Sequence, residues 1–231
     1  MKAGIIAAGD GSRLRAEGIV LPKPLVQVDG VALIERLLNS FIRSGISEVI
    51  CIVNEYSLEV KRFVEEKKFS IPVSFVVKTT PSSMHSLFAL VPYLDGEKFL
   101  LSTVDSIFDD RELVRFLDHA KSNPSLDGLL AVTNFIDDEN PLYVTCDVSN
   151  RILGFSKSEH SPWITGGLYV FSPRIFKEMD VVLRQRIERL RNFLGHLVND
   201  GYTFEAFPFS KIIDIDHVHD IQTAEALLRG H

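Results

Sequence analysis

Gly4-Ile5-Ile6-Ala7-Ala8-Gly9-Asp10-Gly11-Ser12-Arg13-Leu14, with Pro22-Lys23-Pro24-Leu25 close behind, is the most informative stretch of the chain. It starts as an apolar run and breaks into a glycine turn. A short apolar run of this kind fits a buried parallel strand. Gly9 and Gly11 let the backbone turn sharply and come close to a ligand. Free N–H groups in such a turn form a concave anion site, so Ala8, Gly9, Gly11 and Ser12 are candidate ligand contacts. Arg13 adds a forked cation and Lys23 a compact one. Together these residues describe a place to hold a polyphosphate. The segment is not a Walker loop, because no Gly-Lys-Ser/Thr tripeptide opens a helix. Nor is it the dinucleotide fingerprint, since no third glycine follows at the right offset.

Beyond this turn, strands and helices alternate through the first half. Val26–Gly30 reads as a short extended piece, and residues 32–44 as a helix stopped by Gly45. Strands are expected at Glu48–Val53, Val73–Val77 and Lys98–Ser102. Helices are expected from a cap at Ser57 to about Lys68, over Ser83–Tyr93, and from a cap at Asp110 to about Lys121. Successive βα units predict a parallel, doubly wound sheet with right-handed crossovers. Ligands of such sheets bind beyond the carboxyl ends of the strands. The glycine turn and Asp105 both lie at such ends, so two motifs remote in sequence should meet in space. The second half changes to short β-rich runs at residues 129–134, 143–148, 152–155 and 167–171, which read as a mixed or antiparallel extension. A short helix over 172–178, a long one over 182–198, strands at 203–207 and 212–215, and a helix from His217 to Leu228 complete the pattern. One domain over 1–231 is the simplest expectation, with a nucleotide-binding half to about 121 and an acceptor-binding half from about 122.

With 231 residues, 45% of them hydrophobic and 24% charged, this is an ordinary globular composition with enough apolar content for a sizeable core. A net charge of −6 argues against a protein built to coat nucleic acid, while leaving local phosphate sites open. Cys51 and Cys146 each sit in apolar or β-branched runs and read as core residues, with no disulfide framework or metal spacing. The N-terminus reads as a first strand and not a signal peptide, and the apolar stretches are too short to span a bilayer. No membrane partner and a cytoplasmic location are therefore the expectations.

The glycine turn, Arg13 and Lys23 ten residues later resemble the first motif of the nucleotidyltransferase family of the nucleotide-sugar pyrophosphorylase type. The run Val104-Asp105-Ser106-Ile107-Phe108 resembles that family's second motif. The resemblance implies that Asp105 binds Mg²⁺ beside the nucleotide phosphates. Ile212-Ile213-Asp214-Ile215-Asp216 resembles the family's late metal segment. Register favours Asp214 as the second metal carboxylate; Asp216 is the substitute, since in an extended segment both point the same way, or else the cap of the helix from His217. Where the family has a threonine and proline next, this chain has His217-Val218-His219. Thr165-Gly166-Gly167-Leu168-Tyr169-Val170-Phe171 resembles the family's acceptor strand, with Thr165 replacing the usual asparagine, so Gly167 becomes a candidate substrate contact. Lys157 stands where the family carries Glu-Lys-Pro and would neutralise an acceptor phosphate; a solvated surface lysine is the plainer alternative. Thr80–Leu87 falls where relatives read the base, and its serines look closer to the small cytidylyltransferases that activate choline phosphate. Ser83 is then a base contact or simply a helix cap.

The resemblance implies a Rossmann-like fold and a magnesium-dependent reaction. A phosphorylated sugar or alcohol would attack the α-phosphate of a nucleoside triphosphate and release pyrophosphate, with Lys23 on the transferring phosphate and Arg13 on the leaving ones. The chain ends soon after the last helix, so the C-terminal β-helix of some bifunctional relatives is not expected. The alternative is a nucleotide-binding or regulatory protein that keeps the fold without turnover.

Overall fold

The computed structural model describes residues 1–94, 96–137, 139–158 and 161–229. The first half runs β1 (Lys2–Ala7), α1 (Ser12–Ala16), a 3₁₀ turn (Lys23–Leu25), β2 (Gln27–Val28), β3 (Val31–Ala32) and α2 (Leu33–Arg43). It continues through β4 (Glu48–Val53), α3 (Leu58–Lys67), β5 (Val73–Val77), α4 (Ser83–Leu94), β6 (Phe99–Thr103), β7 (Ser106–Ile107) and α5 (Asp110–Ser122). The second half holds β8 (Gly128–Thr133), β9 (Tyr143–Cys146), β10 (Ile152–Ser156), β11 (Ile164–Phe171), a 3₁₀ helix (Pro173–Glu178), α6 (Met179–Arg184) and α7 (Leu190–Asn199). It closes with β12 (Phe204–Pro208), β13 (Ile213–Asp214) and α8 (Val218–Arg229).

Along the main sheet the strands run β10-β9-β11-β6-β1-β4-β5, with β8 joining β11 to β12. β6, β1, β4 and β5 are mutually parallel. β11 is antiparallel to β6, β8 and β9, which is the mixed extension expected of the second half. The chain winds outward from β1 through β4 to β5, then returns to place β6 on the other side of β1. The switch point therefore lies between β1 and β6, where a crevice opens at the carboxyl ends of the strands.

Alternation along β1 shows why the sheet is covered on both faces. Ala3, Ile5 and Ala7 face a core with Phe41 and Phe116 from α2 and α5. Ile6 faces the opposite core, with Leu87 and Leu90 from α4 and Phe193 from α7. Burying side chains of this size stabilises by about 1.5–3 kcal/mol each. Gly4 shares the second face, where a Cβ would lie 2.9 Å from Leu94, so its absence lets α4 approach. Cys51 is fully buried, and burial pushes its thiol up; the half-buried Cys146 is pushed up to about 11 by burial and then by Asp147. Among the described residues no helix is long and apolar enough to cross a membrane.

Three local expectations need correction. Asp109, not Asp110, caps α5, its Oδ1 accepting from the Arg111 N–H at 2.7 Å. Ser57 occupies the N-cap position of α3 without a side-chain cap bond. The helix expected over 182–198 is two helices, broken where Arg186 and Arg189 take left-handed φ values of 56° and 68°. The break is stitched from outside, because the Ser82 and Ser83 hydroxyls accept from the N–H groups of Arg189 and Leu190.

Candidate active site

Beyond β1 the chain turns at Gly11, whose φ of 57° is left-handed. A Cβ there would stand 3.2 Å from Lys23 Cβ, so a residue with a side chain would push the lysine away. Gly9 has open space in front of it. Ala8 is tied to the next strand, its carbonyl accepting from Asn54 Nδ2 at 3.3 Å. The 3₁₀ turn after Pro22 then brings Lys23 back over the glycine turn.

The late acidic segment arrives through β13, which pairs antiparallel with β7 and sets Asp214 opposite Ser106. Ile215 N–H donates to the Asp105 carbonyl at 3.0 Å, which locks the two segments side by side. Asp220 caps α8 by accepting from the N–H groups of Asp216 and His217. That leaves the Asp216 carboxylate free for other partners, so it is not the helix cap.

Those partners are the two cations. Lys23 Nζ donates to Asp105 Oδ2 at 2.5 Å and to Asp216 Oδ1 at 2.6 Å. Arg13 Nη1 donates to Asp216 Oδ2 at 2.5 Å, with Glu139 3.8 Å from its Nε. Burial weakens Lys23's hold on its proton, but Asp105 and Asp216 more than reverse this and raise it above its ordinary value. Burial pushes the Asp105 carboxyl up, and the Lys23 ammonium overrides it and holds it below its usual range. Asp214 is pushed the other way, up to about 7, by burial and then by the charge of Asp105, with the Ser106 hydroxyl opposing. Ser106 Oγ donates to Asp214 Oδ1 at 2.8 Å.

Gly9, Gly11, Ser12, Arg13, Lys23, Asp105 and Asp216 thus line one cavity of about 320 Å³. Asp214 lies beside it, in a small pocket with Thr165 and Gly166. Gly167 supports both from behind: at its φ of 73° a Cβ would stand 2.3 Å from Ser106 Oγ and 2.6 Å from Thr103 Oγ1. The two hydroxyls are 3.1 Å apart, and this close packing is why the position is a glycine. The donor set is all oxygen, which suits Mg²⁺. Two of its carboxylates already share a single cation at bonding distance, so they fit a divalent ion.

Two expected residues lie apart from this cavity. Ser83 Oγ accepts from Leu190 N–H at 3.1 Å, at the start of α7. Lys157 lines a separate cavity of about 410 Å³ with Phe155, Arg191, Asn192 and His196. Sequence reasoning misses Arg191, because reading 182–198 as one helix hides the helix start beside it. Its charge reaches the buried Tyr169, whose hydroxyl is raised by burial and then by Asp214 and also feels Asp105. The cation of the second cavity and the carboxylates of the first therefore act on one phenol. His217 pairs with Glu17, which also accepts from Val218 N–H at 2.7 Å and ties α1 to the start of α8.

The chain is 30% identical over 183 residues to the catalytic subunit beta of mannose-1-phosphate guanylyltransferase from Dictyostelium discoideum, covering 76% of this chain and 50% of that protein. It spans about half the length of this and other mannose-1-phosphate guanylyltransferases that it matches. It is 24% identical over 241 residues to UTP--glucose-1-phosphate uridylyltransferase AglF from Haloferax volcanii, covering 99% of this chain and 97% of that one. Among solved structures, the inositol-1-phosphate CTP transferase from T. maritima superposes with a TM-score of 0.83 at 23% identity, covering 99% of this chain and 95% of that one. A UDP-glucose pyrophosphorylase from Acinetobacter baumanii gives 0.80 at 17%, covering 97% and 91%. These structures share the nucleotide-diphospho-sugar transferase-like fold described above. The MobA-like NTP transferase domain matches residues 3–195, and the chain belongs to that family.

Proposed function

We propose that this protein transfers a nucleoside monophosphate from a nucleoside triphosphate to a phosphorylated polyhydroxy compound, a sugar or a cyclic polyol, and releases pyrophosphate. The observation that carries this reading is the meeting of Arg13 and Lys23 with Asp105 and Asp216 at the switch-point crevice. An acceptor phosphate oxygen attacks the α-phosphorus, the bond to the bridging oxygen breaks, and pyrophosphate leaves with that electron pair. The nucleophile is already an anion, so no strong general base is required. The barrier comes from repulsion between two anions and from charge building up in line, which positioning and preorganised cations lower. Lys23 serves the transferring phosphate and Arg13 the leaving ones. Asp105 with Asp214 or Asp216 would hold Mg²⁺, which supplies charge neutralisation on the phosphate oxygens.

The cavity with Lys157 and Arg191 supports an anionic acceptor. Both cations stand where a phosphomonoester can be gripped, and Asn192 and His196 offer polar partners for hydroxyls. The relatives' names point the same way: mannose 1-phosphate, glucose 1-phosphate and inositol 1-phosphate are all phosphomonoesters of hydroxylated rings. With the acceptor against the end of β10 and α7 and the carboxylates beside β6, the sheet order leaves the ends of β4 and β5 for the nucleoside. Tyr56, 85% exposed just beyond β4, is available there to stack on a base. The test is pyrophosphate release from a matrix of the common triphosphates against phosphorylated sugars and alcohols. Release with one pair supports the reading. Nucleotide binding without release from any pair would make the protein a sensor of the same fold.

A further inference from the structure

The position between Asp105 and Asp216 is filled by the protein's own cation. The Lys23 side chain is only 11% exposed, against 21% and 33% for the two carboxylates it joins. Its stem is fixed at the root. Leu25 N–H donates to the Pro22 carbonyl at 2.8 Å, Val26 N–H donates to the Lys23 carbonyl at 3.1 Å, and Gly11 packs against the Lys23 Cβ. The ammonium at the far end of four carbons is the movable part. Two carboxylate oxygens that share one ammonium at 2.5 and 2.6 Å are also close enough to share a divalent ion, whose bonds to oxygen are shorter, about 2.0–2.1 Å for Mg²⁺. An ammonium and a divalent ion cannot occupy that place together, because like charges at contact in a partly buried site repel strongly.

We infer that Lys23 is a resident competitor for the divalent-cation seat. Without nucleotide its ammonium holds the place between Asp105 and Asp216, and a triphosphate draws it away onto phosphate oxygens and so opens the seat. The identity of the displacing anion rests on the transferase reading above. Arg13 is set for the same exchange, because Asp216 and Glu139 hold it until a ligand phosphate offers better charge. This gives Asp216 a role as the carboxylate that parks both cations before nucleotide binds. It also predicts that a free divalent ion binds weakly alone and that ion and nucleotide strengthen each other's binding.

Mn²⁺ is the probe, followed by its paramagnetic resonance signal and by calorimetry, with wild type, Lys23→Ala and Lys23→Met. Each is measured without nucleotide and with a non-hydrolysable triphosphate analogue. Lys23→Met keeps the apolar stem, so a folding defect of the alanine variant does not obscure the result. The expected outcome is that Lys23→Met binds Mn²⁺ about 10-fold or more tighter than wild type without nucleotide. The analogue should tighten Mn²⁺ on wild type by a comparable factor and change Lys23→Met little. The gain should vanish in Lys23→Met/Asp105→Asn. Affinity of both single variants equal to or weaker than wild type overturns the inference, as does a gain that survives the double substitution. None of these readouts needs an acceptor or turnover. Tight Mn²⁺ binding by Lys23→Met in a protein that never releases pyrophosphate would sink the transferase reading alone, and an active wild type whose variants gain no Mn²⁺ would sink this inference alone.

Discussion

Around the glycine turn each cation that faces the cavity already has a carboxylate, Lys23 with Asp105 and Asp216 and Arg13 with Asp216 and Glu139. In the cavity beyond β11, Lys157 is exposed and makes no ion pair among the described residues, and Arg191 donates to the Asn140 carbonyl at 3.1 Å. On the transferase reading, the difference separates two ways of binding phosphate. On the first side a ligand exchanges one set of ionic partners for another, so the gain lies in where the cations end up. On the second side the cations make no ion pair among the described residues, and the gain is the contact with the ligand itself. The first arrangement suits groups that act at the reacting phosphate, and the second suits recognition of a substrate.

The largest expected effect breaks the paired side. Lys23→Ala and Asp105→Asn should fold and yet lose on the order of 10²-fold or more in pyrophosphate release, the usual cost of losing one preorganised charge contact. Wild-type turnover from both variants would remove the paired side from the reaction. Next comes Gly167→Ala, which attacks the packing behind the carboxylates. A methyl group there meets Ser106 Oγ at 2.3 Å in a left-handed backbone, and both the strain and the displaced hydroxyl carry a cost. A loss of about 2 kcal/mol or more in chemical denaturation is expected. A wild-type midpoint would mean that the backbone there is not held left-handed.

The paired side is also the part most visible in the sequence. Gly9, Gly11, Arg13 and Lys23 sit within fifteen residues, and their geometry follows from local rules about glycine, proline and short turns. Asp105 and the late acidic segment can be matched as motifs, but their meeting depends on the β7–β13 pairing and on Asp220 capping α8, which no local pattern shows. The Ile213–Asp214 ladder is only two residues long, too short for periodicity to register. The open side is harder to see. Arg191 depends on a helix break stabilised by Ser82 and Ser83 from a remote segment, so local propensity favours one continuous helix. Ser83 looks like a cap for its own helix and instead holds the start of another.

A smaller effect sharpens the open side. Arg191→Ala should raise the acceptor KM about 10-fold, near 1.4 kcal/mol, and leave the triphosphate KM within about twofold. Lys157→Ala should act in the same direction and less strongly, since its exposed charge is screened. Added salt should raise the acceptor KM of wild type more than that of Arg191→Ala. Equal changes in both KM values would show that the two cavities do not divide the substrates between them.

The smallest effect concerns Asp214, which shares the paired side and forms no ion pair among the described residues. Burial and the Asp105 charge push its carboxyl up to about 7, whereas an unfolded chain restores a value of about 4. Between those pH values the folded state binds the proton more tightly than the unfolded state, so this group's contribution to stability falls as pH rises. The penalty is absent below about pH 4 and complete above about pH 7. The neutral amide introduced by Asp214→Asn would mimic the protonated carboxyl at every pH. In chelator-treated protein this variant should therefore melt close to wild type at pH 4.5 and higher than wild type at pH 8. A gain of about 1–2 kcal/mol corresponds to roughly 2–8 °C for a chain of this length. Adding Mn²⁺ at pH 8 should narrow the difference by stabilising wild type, because an ionised carboxylate paired with a bound cation no longer bears the full cost of burial. A stabilisation equal at both pH values would mean that Asp214 is ionised throughout, and would return it to the group of carboxylates whose charge Lys23 already balances.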